Sequence, residues 1–359
     1  MSQRVGFLSF RFGTTDGVSA VTRTWMEAFR SFGFDVVTIS GEAGSDVVVD
    51  GIGLTPPAAY GPREEEIRRD VIDATADLDL VVVENLLTIP LNLVASRAVA
   101  SALEGRPAVI HHHDPPWHRQ RFAHITELPA TDPAWQHVSI NGLLQSELAA
   151  RGIASTLIYN GFVAPDLTDL AVRAHLRKQT RASLGVADDE TLLAHPVRAI
   201  ERKNVPAAIR TAEELNATYW LLGPAEEGYG LELAQLLAAA KCRIVHQPWS
   251  DTDGIYAAAD HVLFPSTWEG FGNPPVEAAF QRRTVSVGAY PVGAELRQLG
   301  FDWLDSNDIS GIAAAVRDPH SERVRAMLDA NEQVAHAHFS IPRMRDSLRR
   351  LLDDAGFLP

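Results

Sequence analysis

The chain has little of several things, and each shortage excludes something. Of its 359 residues only Cys242 is a cysteine, so no internal disulfide can form, which fits a reducing cytoplasm. Its 32 basic residues are 29 arginines and three lysines, Lys178, Lys203 and Lys241. With the abundant alanine, that bias points to GC-rich codons and makes each lysine mildly informative. No run of 18 or more apolar residues occurs, so no membrane-spanning helix is expected. The stretch Met1–Phe10 has an apolar run of only about five residues before Arg11, short of the h-region of an export signal. Positive charge is also in deficit. The net charge is −14, made of −7 over residues 1–165 (12 basic, 19 acidic) and −7 over the rest (20 and 27). An evenly acidic surface repels nucleic acid and anionic lipid, so neither is expected as a partner. Internal repeats and low-complexity tracts are lacking as well.

What the chain does have is an ordinary globular composition, 46% apolar and 22% charged, at a length suited to two domains. Short apolar runs rich in Val and Ile alternate with helical periodicity. Strands are predicted at Val5–Phe10, Asp35–Ser40, Leu80–Glu84, Ala108–His111, His137–Ile140 and Ser155–Tyr159. Helices are predicted at Val18–Ser31, Glu64–Ala76, Pro90–Leu103 and Leu143–Arg151. The alternation restarts near residue 190. Strands are expected at Thr191–His195, Thr218–Leu222, Arg243–Val245, His261–Phe264 and Thr284–Val287. Helices are expected at Pro206–Leu215, Leu231–Ala240, Asp253–Ala259, Pro274–Gln281 and Ala294–Leu299. Ala171–Leu184 reads as a charged linker helix, which puts the domain boundary near residues 162–190. The tail from His320 reads as helical with a break at Pro342. Runs apolar on both faces suit buried parallel strands, and βα alternation predicts doubly wound α/β domains. Two such domains side by side make a cleft, and ligands of open α/β sheets bind beyond the carboxyl ends of the strands.

Two segments carry the clearest chemistry. Pro265–Ala278, PSTWEGFGNPPVEA, follows an apolar strand and runs into an amphipathic helix, with Asn273 as the expected N-cap and a proline in the first turn. Gly270 and Gly272 let the backbone approach a ligand, and free N–H groups at a helix start favour an anion. Glu277, a turn into that helix, can accept hydrogen bonds from a sugar diol. The plain alternative is a glycine turn flanked by two exposed acids, Glu269 and Glu277. Pro196–Asn204, PVRAIERKN, also follows a strand. Its Arg198 and Lys203 can hold a diphosphate, one by bidentate contact and one as a point charge; otherwise they line a solvated basic loop.

Together these residues resemble the E-x7-E element (Glu269, Glu277) and the R-x4-K pair (Arg198, Lys203) of glycosyltransferase family 4. Tyr159–Phe162, YNGF, is similar to that family's NG turn. Thr14–Val18, TTDGV, is similar to its glycine-rich first loop, with Asp16-Gly17 in place of the usual glycine pair. The tail resembles its C-terminal segment that crosses back onto the first domain. The resemblance implies a retaining enzyme with the GT-B fold, two Rossmann-like domains facing a cleft. An acceptor domain would span 1–165 and be joined by helix 338–359; a donor domain would span 166–337. It implies that Arg198 and Lys203 neutralise the donor diphosphate and that Glu277 binds the ribose. Glu269 would lie by the sugar hydroxyls, with the backbone of Gly270, Phe271, Gly272 and Asn273 on sugar and phosphate, and Gly17 beside the diphosphate or acceptor. It implies no metal and no cofactor beyond the nucleotide-diphosphate sugar as co-substrate. Asp77-Leu78-Asp79 has D-x-D spacing but leads into a buried strand and reads as a helix-to-strand turn.

Pro107–Phe122, PAVIHHHDPPWHRQRF, places three histidines and an aspartate at a strand end. Three consecutive side chains do not converge on one zinc ion, so no metal is expected there. The family places a functional histidine after this strand, which selects His113, with His111 and His112 as the other choices and Asp114 as an acceptor-hydroxyl ligand. Arg119 and Arg121 can grip an anionic acceptor or line a solvated turn. Glu84-Asn85-Leu86, HHHD and WEGFGNP together resemble family members that glycosylate small polar metabolites, glyceric acid derivatives included. The expected activity is hexosyl transfer from a UDP- or GDP-sugar to a small soluble acceptor in the cytoplasm, without stable membrane association. A homodimer is left open. The alternatives are a GT-B sugar-nucleotide 2-epimerase, which would need no acceptor, and a non-catalytic nucleotide-sugar binding protein.

Overall fold

The computed structural model describes residues 3–13, 17–54 and 62–359. The chain forms two compact units, Met1–Gly161 with Ile341–Pro359, and Phe162–Ser340. The first contains strands β1 (Arg4–Leu8), β2 (Asp35–Ser40), β3 (Val47–Val48), β4 (Leu80–Glu84), β5 (Ala108–His112), β6 (Trp135–Ser139) and β7 (Thr156–Leu157). Helices α1 (Gly17–Ser31), α2 (Pro62–Ala74), α3 (Leu93–Ala102) and α4 (Gly142–Ala149) connect them. The strands form one parallel sheet in the order β3-β2-β1-β4-β5-β6-β7, so the order reverses between β1 and β4.

Strand β4 shows why both faces must be covered. Its Leu80 and Val82 join a core with Phe7, Trp25 and Phe29, while Val81 and Val83 join another with Val94 and Val99. Alternate residues of one strand thus feed two cores, one under α1 and one under α3. Helix α1 meets its core with Val21, Trp25 and Phe29, spaced one turn apart. The D-x-D segment is a structural turn: Asp79 Oδ2 accepts the Arg4 backbone N–H at 2.7 Å, and Asp77 pairs with the Arg4 guanidinium. Among the expected strands, β1 stops at Leu8 instead of Phe10, β6 starts at Trp135 instead of His137, and the last shrinks to Thr156–Leu157. The two-residue edge strand β3 is too short to leave a sequence signal.

The second unit begins with α5 (Leu170–Ser183) and continues through β8 (Leu192–His195), α6 (Val205–Glu214), β9 (Thr218–Leu221), α7 (Gly230–Ala239), β10 (Ile244–His246) and α8 (Thr252–Ala258). Then come β11 (His261–Phe264), α9 (Asn273–Phe280), β12 (Val285–Val287), α10 (Pro291–Gln298), β13 (Leu304–Asp305), α11 (Ile309–Arg317) and α12 (Glu322–Phe339). Its parallel sheet runs β10-β9-β8-β11-β12-β13, reversing between β8 and β11. Helix α5 is no linker. Arg177 donates to the carbonyls of Ala257 and Ala258 and pairs with Asp260 at 2.6 Å, while Arg181 donates to Ala258 at 2.7 Å. The charges that suggested a solvated linker cap the C-terminal carbonyls of α8, where the helix dipole favours cations.

After α12, Ser340 is extended and the chain returns to the first unit as α13 (Ile341–Asp354). The helical break therefore falls at Ser340, not Pro342. Pro342 sits in the first turn of α13, where a missing N–H costs nothing. Met344, Leu348, Leu351 and Leu352 of α13 are buried among Val5, Phe7, Trp25 and Phe29, so the first core is completed by the tail.

Candidate functional site

In the second unit the site residues gather where the sheet order reverses. Loop 196–204 follows β8, and loop 265–272 follows β11, the adjacent strand. Thr267 donates its backbone N–H to the Arg202 carbonyl at 2.9 Å, and Asn204 Nδ2 reaches the Pro265 carbonyl at 3.3 Å. Asn204 holds a left-handed turn (φ 54°) and caps α6. These ties bring Lys203 and Glu269 together: Nζ donates to Oε1 at 2.5 Å, with side chains 11% and 7% exposed. The ammonium also lies 5.3 Å from the Phe264 ring. Burial lowers the Lys203 pKa, and Glu269 counters that shift. A largely desolvated ammonium at a strand's carboxyl end offers strong attraction to an anion that enters.

Glu277 lies on α9, and its Oε2 accepts the Tyr256 hydroxyl at 2.6 Å. Burial raises its pKa, while the tyrosine bond opposes the rise. The helix cap is Gly272 rather than Asn273, which is the first helical residue. Gly272 has φ 99°, and a Cβ there would meet the Tyr290 hydroxyl at 2.5 Å, so the glycine is needed both for its backbone and for space. Arg198 is in the expected loop but pairs with Glu226 at 2.6 Å, both side chains about two-fifths exposed (39% and 40%). Lys203 nevertheless feels its charge. Gly270 and Phe271 occupy the same loop, with Phe271 buried.

In the first unit the polar groups again lie at strand carboxyl ends beside the reversal point. Strand alternation separates the three histidines. His112 points one way, bonding Thr88 Oγ1 at 2.7 Å and His137 Nδ1 at 2.9 Å. His111 and His113 point the other way and converge on Glu84: Oε2 lies 3.0 Å from His111 Nδ1 and 3.1 Å from His113 Nε2. Trp25 of α1 stacks on the His111 ring at 3.9 Å. Burial alone would raise the Glu84 pKa, but the two imidazoles outweigh it and hold the carboxyl down at about 2. Burial lowers the pKa of His111 and pushes that of His112 well down. Glu84, His111 and His113 are the one group of potential metal ligands among the described residues, with ligand atoms within 4.8 Å of one another.

Asp114 and Arg119 form a 3.5 Å ion pair, and the Arg121 guanidinium lies over Phe122 at 4.6 Å. Before them, Glu147 Oε2 fixes the loop through Trp117 Nε1 at 2.9 Å and His118 Nε2 at 2.6 Å. Gly17 is the exposed first residue of α1; Thr14, Thr15 and Asp16 of its loop lie outside the described residues. The sequence pointed to Glu84 and Asn85 only as part of a resemblance, without a role, and did not single out Tyr256 or Tyr290. The available signal was an all-apolar strand, LVVV, ending in Glu-Asn.

The sequence is 23% identical to mannosylglucosylglycerate synthase of Petrotoga mobilis over 429 aligned positions, covering 97% of this chain and 96% of that protein. It is 24% identical to the enzyme of the same name from Thermotoga maritima, covering 97% and 99%. The structure is similar to that of Anabaena HepE in complex with UDP-glucose, with a TM-score of 0.74, 19% identity and coverage of 98% and 99%. No protein-family model matches the sequence. The two parallel-sheet Rossmann-like units are those of the GT-B fold, and the full-length relatives are glycosyltransferases. The chain is a glycosyltransferase of GT-B type.

Proposed function

We propose that the chain is a retaining hexosyltransferase of family 4 type that moves a hexose from a UDP- or GDP-sugar to a hydroxyl of a small anionic acceptor, glucosylglycerate in class. The observation that carries this reading is the Lys203–Glu269 pair at the reversal point of the second sheet, with Glu277 on the helix that follows. The names of the two relatives support the acceptor, and the UDP-glucose bound to HepE supports a nucleotide-sugar donor.

In this reading the second unit binds the donor. Lys203 and Arg198 meet the diphosphate, Glu277 accepts from the ribose hydroxyls, and the backbone of Gly270–Asn273 contacts sugar and phosphate. Glu269 gives up Lys203 to the phosphate and turns to the sugar hydroxyls. The sugar C1–phosphate oxygen bond breaks while the acceptor oxygen bonds to C1 on the same face. The acceptor's proton passes to the leaving nucleoside diphosphate, so the products are the glycoside and the nucleotide. Lys203 stabilises the charge that develops on the leaving group, and most of the acceleration is positional and electrostatic. The first unit binds the acceptor, with His113 and Asp114 on sugar hydroxyls and Arg119 and Arg121 on the carboxylate. Diphosphate charge is met by side chains and the start of α9, without a metal ion, in the cytoplasm.

The test is thermal stabilisation by UDP-, GDP- and ADP-sugars, followed by an acceptor screen with glucosylglycerate, glycerate and glucose. A ligand at about 100 times its Kd raises native stability by about 2.7 kcal/mol. One nucleotide should stabilise the chain, the effect should vanish in Lys203→Ala, and the carboxylated acceptors should be turned over. No stabilisation by any nucleotide would overturn the reading.

A further inference from the structure

We propose that Glu84 and Asn85 are a positioning clamp that sets His113 and Asp114, with Glu84 fixing the imidazole and Asn85 fixing the backbone that carries it. The proposal rests on the reading above, in which His113 meets a sugar hydroxyl.

The clamp begins in the backbone. Asn85 follows β4 in a left-handed conformation (φ 59°), and its N–H bonds the His111 carbonyl at 3.0 Å, continuing the β4–β5 ladder by one step. Asparagine tolerates that conformation better than most side chains. The turn aims its amide across the strand end. Asn85 Oδ1 accepts the backbone N–H of His113 at 3.2 Å and of Asp114 at 3.0 Å, while Nδ2 donates to Asp114 Oδ2 at 3.2 Å. One side chain therefore fixes two consecutive peptides and one carboxylate.

Glu84 supplies the other half. An ionised carboxylate only accepts hydrogen bonds, so both nitrogens facing Oε2 must be donors. That places a proton on His113 Nε2 and turns Nδ1 away from the carboxylate. Nδ1 has no partner among the described residues, and the ring remains 6% exposed. A hydroxyl arriving at the end of β5 would meet that nitrogen. His111 holds the carboxylate from behind. Its own ring lies against Trp25 at 3.9 Å and against His113 at 4.3 Å, so Glu84 cannot swing without disturbing both. Burying a carboxylate is costly, and an apolar residue would fill the same volume without that cost. Two imidazoles on one oxygen, at the reversal point of the sheet, account for its presence through orientation.

The test compares three variants and one spectrum. His113→Ala examines the reading itself and should lower kcat by about 100-fold. Glu84→Gln keeps the shape and removes the charge; it should lower kcat by about 10- to 100-fold with donor KM within about threefold. Glu84→Asp should restore part of the rate, which a purely space-filling role would not predict. In the wild-type chain with 15N-labelled histidine, assigned by the spectrum of His113→Ala, His113 should show a protonated Nε2. Near-normal kcat in Glu84→Gln beside an inactive His113→Ala would overturn the clamp and leave the reading standing. Full activity in His113→Ala would overturn both. A bare Nε2, or a stoichiometric metal ion by elemental analysis, would also overturn the clamp. If Glu84→Gln does not fold, the Nε2 proton in the wild-type chain decides.

Discussion

Each unit is a parallel sheet whose strand order reverses next to its first strand, between β1 and β4 in one and between β8 and β11 in the other. Each places a largely buried carboxylate near that reversal and gives it nitrogen partners. In the second unit the acid is Glu269, on a loop, paired with Lys203. In the first it is Glu84, the last residue of a strand, paired with two imidazoles. The difference lies in what an incoming group can displace. An ammonium on a flexible stem can leave one anion for another, whereas a carboxylate at a strand end, locked between rings, can only orient its neighbours. The same topology thus gives an exchangeable charge in one unit and a fixed frame in the other.

The sharpest way to break that comparison is to remove the exchangeable charge. Lys203→Ala should lower kcat/KM by about 100- to 1,000-fold, the range for losing one group that stabilises developing charge. It also leaves Glu269 buried without its cation, so the apo melting temperature should fall. A variant with normal kcat/KM would remove Lys203 from the site.

Acid should act on both units through buried neutral histidines. Burial holds His195 and His261 of the second unit at about 3 and His137 of the first at about 4, against an ordinary value of 6.5. The unfolded chain takes up these protons near 6.5 and the native chain does not. Stability therefore falls as the pH drops below 6.5 and keeps falling towards the native values. The slope is up to about 1.4 kcal/mol per pH unit for each histidine. His111 and His112 shift the same way, so the first unit, with three such histidines against two in the second, should weaken more. Hydrogen exchange at pH 7, 6 and 5 checks this: peptides from β4 and β5 should lose more protection than those from β8 and β11, and equal loss would refute it.

Glu277 gives a smaller effect. Glu277→Gln keeps an acceptor and the Tyr256 contact but loses the charge proposed to hold two ribose hydroxyls. Donor KM should rise by about tenfold with kcat nearly unchanged, the pattern of a group that binds ground state and transition state alike. A fall in kcat at constant KM would move Glu277 from nucleotide binding to chemistry.

These expectations also show what could be read without coordinates. The βα alternation was legible because buried parallel strands are apolar on both faces, as LVVVE and HVLF are. That the loops after β8 and β11 belong together was legible because E-x7-E and R-x4-K are local spacings in sequence, and the structure joins them through Lys203 and Glu269. Glu84 was not, since its meaning depends on His111 and His113, 27 and 29 residues away and brought alongside by β4–β5 pairing. The histidine run could be limited to alternate faces by strand geometry, yet nothing in HHHD says which face meets a carboxylate. Helix α5 was misread because a cation that caps another helix and a cation in water look the same in sequence. Arg198 was placed in the right loop, but its pairing with Glu226 could not be foreseen, since that acid follows a different strand, β9.

The Arg198–Glu226 pair gives the finest comparison, because it is the exposed counterpart of Lys203–Glu269. An ion pair this open contributes only about 0.2–1 kcal/mol and is screened by salt. Its removal by Glu226→Ala should therefore leave apo stability almost unchanged, unlike the loss of Lys203. If Arg198 meets the donor diphosphate as proposed, Glu226 competes with that diphosphate for the guanidinium. Freeing the arginine should tighten nucleotide binding by the strength of the lost pair, at most about fivefold. Isothermal titration of wild type and Glu226→Ala with the nucleoside diphosphate, at low and high salt, measures this directly. The gain should shrink as salt rises, because screening has already weakened the competing pair. Weaker binding in Glu226→Ala would mean that the acid holds Arg198 in place for the donor, making the exposed pair a fixed frame like Glu84 and its histidines.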